Sequence, residues 1–183
     1  MIYSWKKILR YSMPILVLCV IIEIFAGQML QLGQDKLFAI PMFFISIPFI
    51  NGVSGNIGSI LGARLASGFH VGYISVDIKD NNIQKNFITS IFMGILTYFI
   101  LAILIYHVVL FSGLQISIGL IEYMSVILAT GILLVCLISV ASVLTAFISF
   151  RKGLDPDDMV APVVTTAGDT FGILLLFLFI GVI

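Results

Sequence analysis

Asp169 is a carboxylic acid inside an otherwise apolar run near the end of the chain. Thr165 and Thr166 precede it by four and three residues and Gly172 follows it by three, so a helix would place all four on one face. An acid at membrane depth is unfavourable by roughly 2.5–3.5 kcal/mol, and such residues usually mark ion or proton routes. Asp169 is therefore our candidate metal-binding residue. The alternative is a neutral acid hydrogen-bonded to a neighbouring helix.

A second polar stretch, residues 51–64, interrupts another apolar run and follows Pro41 and Pro48, which indicate a kinked or broken helix. Its small and polar residues recur at helical spacing and would form one face: Asn51, Ser54, Gly55, Gly58, Ser59 and Gly62. The amides of Asn51 and Asn56 need partners that lipid cannot supply. A pore-lining face is one interpretation. Close helix packing through the Gly58/Gly62 pair is the other.

Four further acids are candidates for cation binding. Glu23 lies about two-thirds along the first apolar run, which places it nearer the outer face. Asp155, Asp157 and Asp158 precede the last apolar run, where acids suit a helix N-terminus and Asp155 can act as its cap. The alternative for this cluster is a cytoplasmic cation collector or sensor.

The composition indicates a membrane protein. Of 183 residues, 61% are hydrophobic and 10% are charged, whereas about a quarter of an average soluble domain is charged. A soluble globule of this size could not bury that much apolar surface. Nine Lys and Arg balance nine Asp and Glu, so no net charge favours nucleic acid. These numbers argue against a soluble enzyme, a nucleic-acid binder and a disordered chain.

The apolar runs predict an all-α, polytopic membrane protein with five transmembrane helices in one domain, residues 1–183. The expected helices cover about 11–30, 37–64, 87–111, 121–150 and 159–183. A cleaved signal peptide is the alternative for the first run, although residues 26–28 are a weak cleavage site.

The positive charges predict the orientation of these helices. Eight of the nine Lys and Arg fall on the side of the membrane that holds the N-terminus in the predicted topology. Lys36 alone falls on the opposite side. We therefore expect the N-terminus in the cytoplasm and the C-terminus outside.

Two motifs resemble a known family. The run GNIGSILGARL at 55–65, followed by GFHVG at 68–72, resembles the second-helix signature of the membrane domain of MgtE and solute carrier family 41. The run DPDDMVAPVVTTAGD at 155–169 resembles the fifth-helix signature, which has an Asp-Pro-Asp-Asn-like start and ends in Gly-Asp. The resemblance covers essentially the whole chain.

The resemblance implies transport of divalent cations, chiefly Mg²⁺, in the cell membrane through a pore between two five-helix domains. Helices two and five would line the pore, and Asp169 would take the place of the fifth-helix acid that faces the ion. Pore-side or supporting roles would fall to five polar residues: Asn51, Ser54, Asn56, Thr165 and Thr166. Glu23 would be an acid near the outer mouth.

The chain also departs from the pattern. It begins directly with Lys6 and Lys7 instead of the helical and CBS domains of bacterial MgtE, it has one copy of the membrane domain, and Asp158 stands in place of Asn. We expect a parallel homodimer in the lipid bilayer, or a heterodimer with a related half-unit. Two alternatives remain: a non-transporting scaffold or accessory subunit, and an intramembrane metal-dependent phosphotransferase.

Overall fold

The computed structural model describes residues 5–114 and 116–181, and every regular element in that part of the chain is a helix. The helices are α1 (Trp5–Leu32), α2 (Gln34–Ala39), α3 (Pro41–Val71), α4 (Asn81–Phe111), α5 (Leu120–Arg151) and α6 (Pro156–Ile180). All except the short α2 are long and apolar enough to cross a membrane. The prediction of an all-α protein with five spanning helices is confirmed, and α3 and α6 are the second and fifth of them.

The second spanning helix begins at Pro41 instead of near Leu37. Residues before it form the separate α2, and Ile40 leaves the helical region with φ −132° and ψ 83°. A proline ring clashes with a helical conformation of the preceding residue, whereas proline itself fits the first turn because no N–H partner is needed there. Pro48 lies inside α3, which continues beyond it.

The third spanning helix begins at Asn81, earlier than the predicted Phe87, because Asp80 caps its N-terminus. The Asp80 carboxylate accepts hydrogen bonds from the Asn82 N–H at 2.7 Å and from the Ser75 N–H and hydroxyl at 2.8 and 2.6 Å. These bonds, with that of the Ser75 hydroxyl the largest cause, hold the pKa of Asp80 below its usual value. The first spanning helix begins six residues earlier than predicted and the second ends seven residues later, whereas the remaining ends agree within three residues. Residues 182 and 183 lie outside the described part.

The contacts between helices fix their relative directions. Cys19 and Glu23 of α1 contact Pro162 and Thr166 of α6, so these two helices run parallel. By contrast, Gly58 packs against Val164 and Gly62 against Val160, so α3 and α6 run antiparallel. Both directions agree with a chain that crosses a membrane at each long helix. Helix α5 packs against α3, α4 and α6, whereas α1 packs mainly against α6.

The orientation in the membrane stays a prediction, which cysteine labelling can test. Leu114 lies exposed between α4 and α5, and Lys79 lies exposed between α3 and α4. With the N-terminus inside, a membrane-impermeant maleimide should label Leu114→Cys in intact cells and Lys79→Cys only after permeabilisation. The reverse pattern would contradict the positive-inside assignment.

Candidate ion-binding site

The start of α6 sets the position of its polar residues. The Asp155 carboxylate accepts a hydrogen bond from the Asp157 N–H at 3.1 Å, Pro156 occupies the first turn, and Asp157 and Asp158 follow there. Negative charge is favourable at this end of a helix. The prediction that Asp155 caps the helix is confirmed. A role for the three acids in collecting cations stays a prediction.

Asp169 lies near the middle of α6 and is half-buried. Asn51 of α3 and Glu23 of α1 both lie close enough for their side chains to interact with its carboxyl group. Three helices therefore bring two acids and an amide together. Helical spacing within one segment cannot indicate this arrangement, because each of the three residues belongs to a different segment.

Glu23 is joined to α6 by a hydrogen bond in which the Thr166 hydroxyl donates to Glu23 Oε1 at 2.8 Å. Thr166 is almost fully buried and lies one turn before Asp169. The sequence places Glu23 nearer the outer face. The bond from Thr166 places Glu23 level with the middle of α6, and its role as an acid near the outer mouth stays a prediction.

Glycines of α6 allow α3 to approach Asp169 closely. A Cβ on Gly168 would lie 2.5 Å from the Ser54 hydroxyl oxygen, and one on Gly172 would collide with Asn51 Oδ1. Ser54 is fully buried and its hydroxyl donates to the Asn51 carbonyl at 2.8 Å. Ser54 thus faces the interior of the bundle and supports the α3 backbone at Asn51.

The side-chain oxygen of Asn51 is a buried acceptor with no hydrogen-bond partner among the described residues. An unpaired buried polar group is unfavourable by about 1–3 kcal/mol. The oxygen lies against Gly172, one turn from Asp169, and the Asn51 side chain is close enough to interact with the Asp169 carboxyl group.

Asn56 and Thr165 are exposed on the single chain. The Thr165 hydroxyl donates to the Ala161 and Pro162 carbonyls at 2.8 and 3.0 Å, so its own helix satisfies it. Its methyl group lies 3.0 Å from the position of a Cβ on Gly55. Thr165 therefore lies at the junction of α3 and α6, and Asn56, which follows Gly55, lies on the outside of the bundle.

The exposed face of α3 differs from those of the other spanning helices. In α1, α4 and α5 the exposed positions carry large apolar side chains, including Phe25, Phe92, Phe99, Leu137 and Leu144. In α3 the exposed positions between Phe49 and Ile60 are instead small or polar, namely Gly52 and Asn56. Large apolar groups suit lipid, whereas this face of α3 suits water or another protein surface.

Tyr98 of α4 is a supporting residue that the sequence analysis missed. It is fully buried, and its hydroxyl donates to the Ile50 carbonyl at 2.6 Å, next to Asn51. Its ring fits against Gly131 of α5, where a Cβ would collide with it. A tyrosine in the middle of an apolar spanning segment could have indicated this role, because its hydroxyl must find a hydrogen-bond partner there.

The site offers only oxygen ligands. Within residues 5–114 and 116–181, no three or more His, Cys, Asp or Glu side chains are grouped so as to hold a metal ion. Two acids with amide and hydroxyl oxygens suit Mg²⁺, which keeps several waters and uses one or two carboxylates. A structural zinc site would need four Cys or His ligands.

Fold and site together define a multi-pass helical membrane protein with one polar, acid-bearing face. The family model of the MgtE divalent cation transporters matches residues 47–179, which include α3 from its first turns and nearly all of α6. The chain therefore belongs to the MgtE family, a family of transporters and not of enzymes. Comparison with curated proteins finds no match.

Proposed function

We propose that the chain carries divalent cations, chiefly Mg²⁺, across the cell membrane along a path between two parallel copies, lined by α3 and α6. The family membership supports divalent cation transport. The observation that carries the finer proposal is the exposed polar junction of α3 and α6, with Asp169 half-buried beside it. Lipid cannot satisfy such a face, whereas a second copy related by two-fold symmetry can enclose it.

In this proposal Asp169 from each copy attracts the ion near the middle of the membrane. Two carboxylates that approach each other without a cation repel, and a divalent ion removes that repulsion. Mg²⁺ sheds its waters reluctantly, so Asn51 and Thr165 would bond to those waters and not to the metal. Thr166 holds Glu23 beside the path as a second acid.

Flux measurements on the purified chain in liposomes test the function. Mg²⁺ flux is expected with the chain alone, and parallel assays with Mn²⁺, Co²⁺ and Ca²⁺ rank the ions. Imposed gradients of H⁺ and Na⁺ then separate passive flow from coupled transport. Absence of flux for every divalent ion, with the protein folded and correctly inserted, would favour the accessory-subunit alternative or a required heterodimer partner.

A glycine pair tests the dimer interface. Gly52 of α3 and Gly27 of α1 are both exposed, and a Cβ at either position meets nothing within 4 Å in the single chain. Leucine at Gly52 should therefore fold normally but obstruct the partner, reducing both the dimer fraction and the Mg²⁺ flux. Leucine at Gly27 should leave the dimer fraction unchanged, because the proposed interface lies on α3 and α6 and not on α1. The readouts are mass photometry in lipid nanodiscs and liposome flux.

Equal dimer fractions and fluxes for the two glycine variants would contradict an interface on this face of α3. A monomeric parent protein with full flux would contradict the dimer itself.

A further inference from the structure

An open groove of about 680 Å³ lies between the C-terminal part of α3 and the beginning of α4, away from Asp169 along α3. Its walls are Ile60, Arg64 and Ser67 of α3, Tyr73 and Ile74 of the connection, and Asn86 of α4, completed by small or apolar residues. Most of the lining is therefore apolar, with one charged group.

That charged group is the Arg64 guanidinium. Arg64 is exposed and makes no hydrogen bond, ion pair or ring contact with any residue that the structure describes, in contrast to Arg151, which lies 4.4 Å from the centre of the Phe147 ring. The acids of the nearby connection accept bonds from its own backbone: Asp77 from the Lys79 N–H and Asp80 from the Ser75 N–H. An unpaired cation beside an apolar groove lacks an anionic partner.

We propose that this groove binds an anionic phospholipid, with the lipid phosphate on Arg64 and an acyl chain along the apolar wall formed by Ile60 and its neighbours. Arg64 lies seven residues before the end of α3, which is about 10 Å along the helix axis. An arginine at that depth can extend toward the headgroup level. Basic pockets between spanning helices are known to take anionic lipid headgroups.

A phospholipid fits the groove better than a free phosphate or a second copy of the chain. A free phosphate would use the single cation but leave the apolar wall uncovered. Asn86 belongs to α4, whose next exposed large apolar residues are Ile88 and Phe92, so the groove opens beside side chains suited to lipid. The positive charge also complements anionic lipid directly.

Native mass spectrometry of the purified protein tests the site with two probes of identical acyl chains, phosphatidylglycerol and phosphatidylcholine. The parent protein should retain phosphatidylglycerol more tightly. Arg64→Gln should weaken that retention about fivefold, as expected for one basic residue near anionic lipid, and weaken phosphatidylcholine less because its choline ammonium offsets the phosphate charge. Arg151→Gln is the matched control and should keep the parent preference.

Ala63→Phe gives an independent variant that keeps the charge but fills the exposed groove with a ring, so it should lower retention of both lipids. Equal retention of the two lipids by the parent, or an Arg64→Gln variant like the parent, would overturn the proposal. Competition by glycerophosphoglycerol as strong as by the lipid would show a phosphate site instead. An altered dimer fraction in Arg64→Gln without altered lipid retention would show that a second copy covers the groove.

Discussion

Replacing Asp169 by asparagine is expected to lower Mg²⁺ binding and flux on the order of a hundredfold, while the protein stays folded and dimeric. The substitution keeps the size of the side chain and removes its charge. Losing a hydrogen bond to a charged group amounts to about 1.5–3 kcal/mol, and two copies lose it together at the shared site. Liposome flux and Mg²⁺ titration measure the effect.

Two further variants make the Asp169 experiment specific. Asp35→Asn removes an exposed acid in the first turn of α2 and should transport like the parent protein. Asp169→Glu keeps the charge, so we expect nearly normal binding but reduced flux because the longer side chain narrows the path. Thermal melting of each variant establishes that folding is intact.

If the Asp169→Asn variant shows the same flux as the parent protein, Asp169 does not belong to the ion path. Glu23 would then be the next candidate, because it lies close enough to interact with Asp169 and is held by Thr166. The acids at the start of α6 would be the candidates after Glu23. Glu23→Gln measured in the same assay distinguishes these cases: a loss of flux there alone would shift the ion path toward α1.

The sequence predicts the five spanning helices well because each is a long apolar run, a signal that does not depend on tertiary contacts. The cap at Asp155 is equally local, because the acid and the N–H that it binds lie two residues apart. Helix ends near polar residues were less predictable. Residues 81–86 are hydrophilic except for Ile83, so hydropathy excludes them, yet the Asp80 cap begins α4 there.

Contacts between helices explain the rest of the difference between prediction and structure. The contact of Glu23 with α6 depends on the register of α1 against α6, because its hydrogen-bond partner Thr166 lies 143 residues further along the chain. Likewise, one polar face was predicted for α3. Packing against α5 and α6 buries most of it, including Ser54 and Gly58, whereas Asn56 lies off that face and is exposed. Periodicity identifies a face but not which neighbour covers it.

The buried face of α3 leads to a second large effect, at Gly58. A Cβ at this position would lie 2.5 Å from Ile138 Cγ2 and 2.9 Å from Val164 Cβ, which are side chains of α5 and α6. The Ser142 hydroxyl also donates to the Gly58 carbonyl at 2.8 Å. Gly58 therefore allows close packing within one chain. The proposed dimer interface lies on the opposite side of α3.

Gly58→Val should destabilise the single chain, because overpacking a filled core is unfavourable by about 1–3 kcal/mol and both neighbours are branched at Cβ. For a chain of this length we expect the melting temperature to fall by roughly 5–10 °C. Gly27→Val, exposed in α1, is the control and should melt like the parent.

Enlarging the space tests the cause of the Gly58 effect. Gly58→Ala combined with Ile138→Ala should be more stable than the two single changes predict together, because each relieves the collision or cavity that the other creates. Additive losses would mean that the two side chains do not meet. Normal melting of Gly58→Val with a reduced dimer fraction would instead place Gly58 at the interface between copies, and the packing of α3 against α5 and α6 would have to be reconsidered.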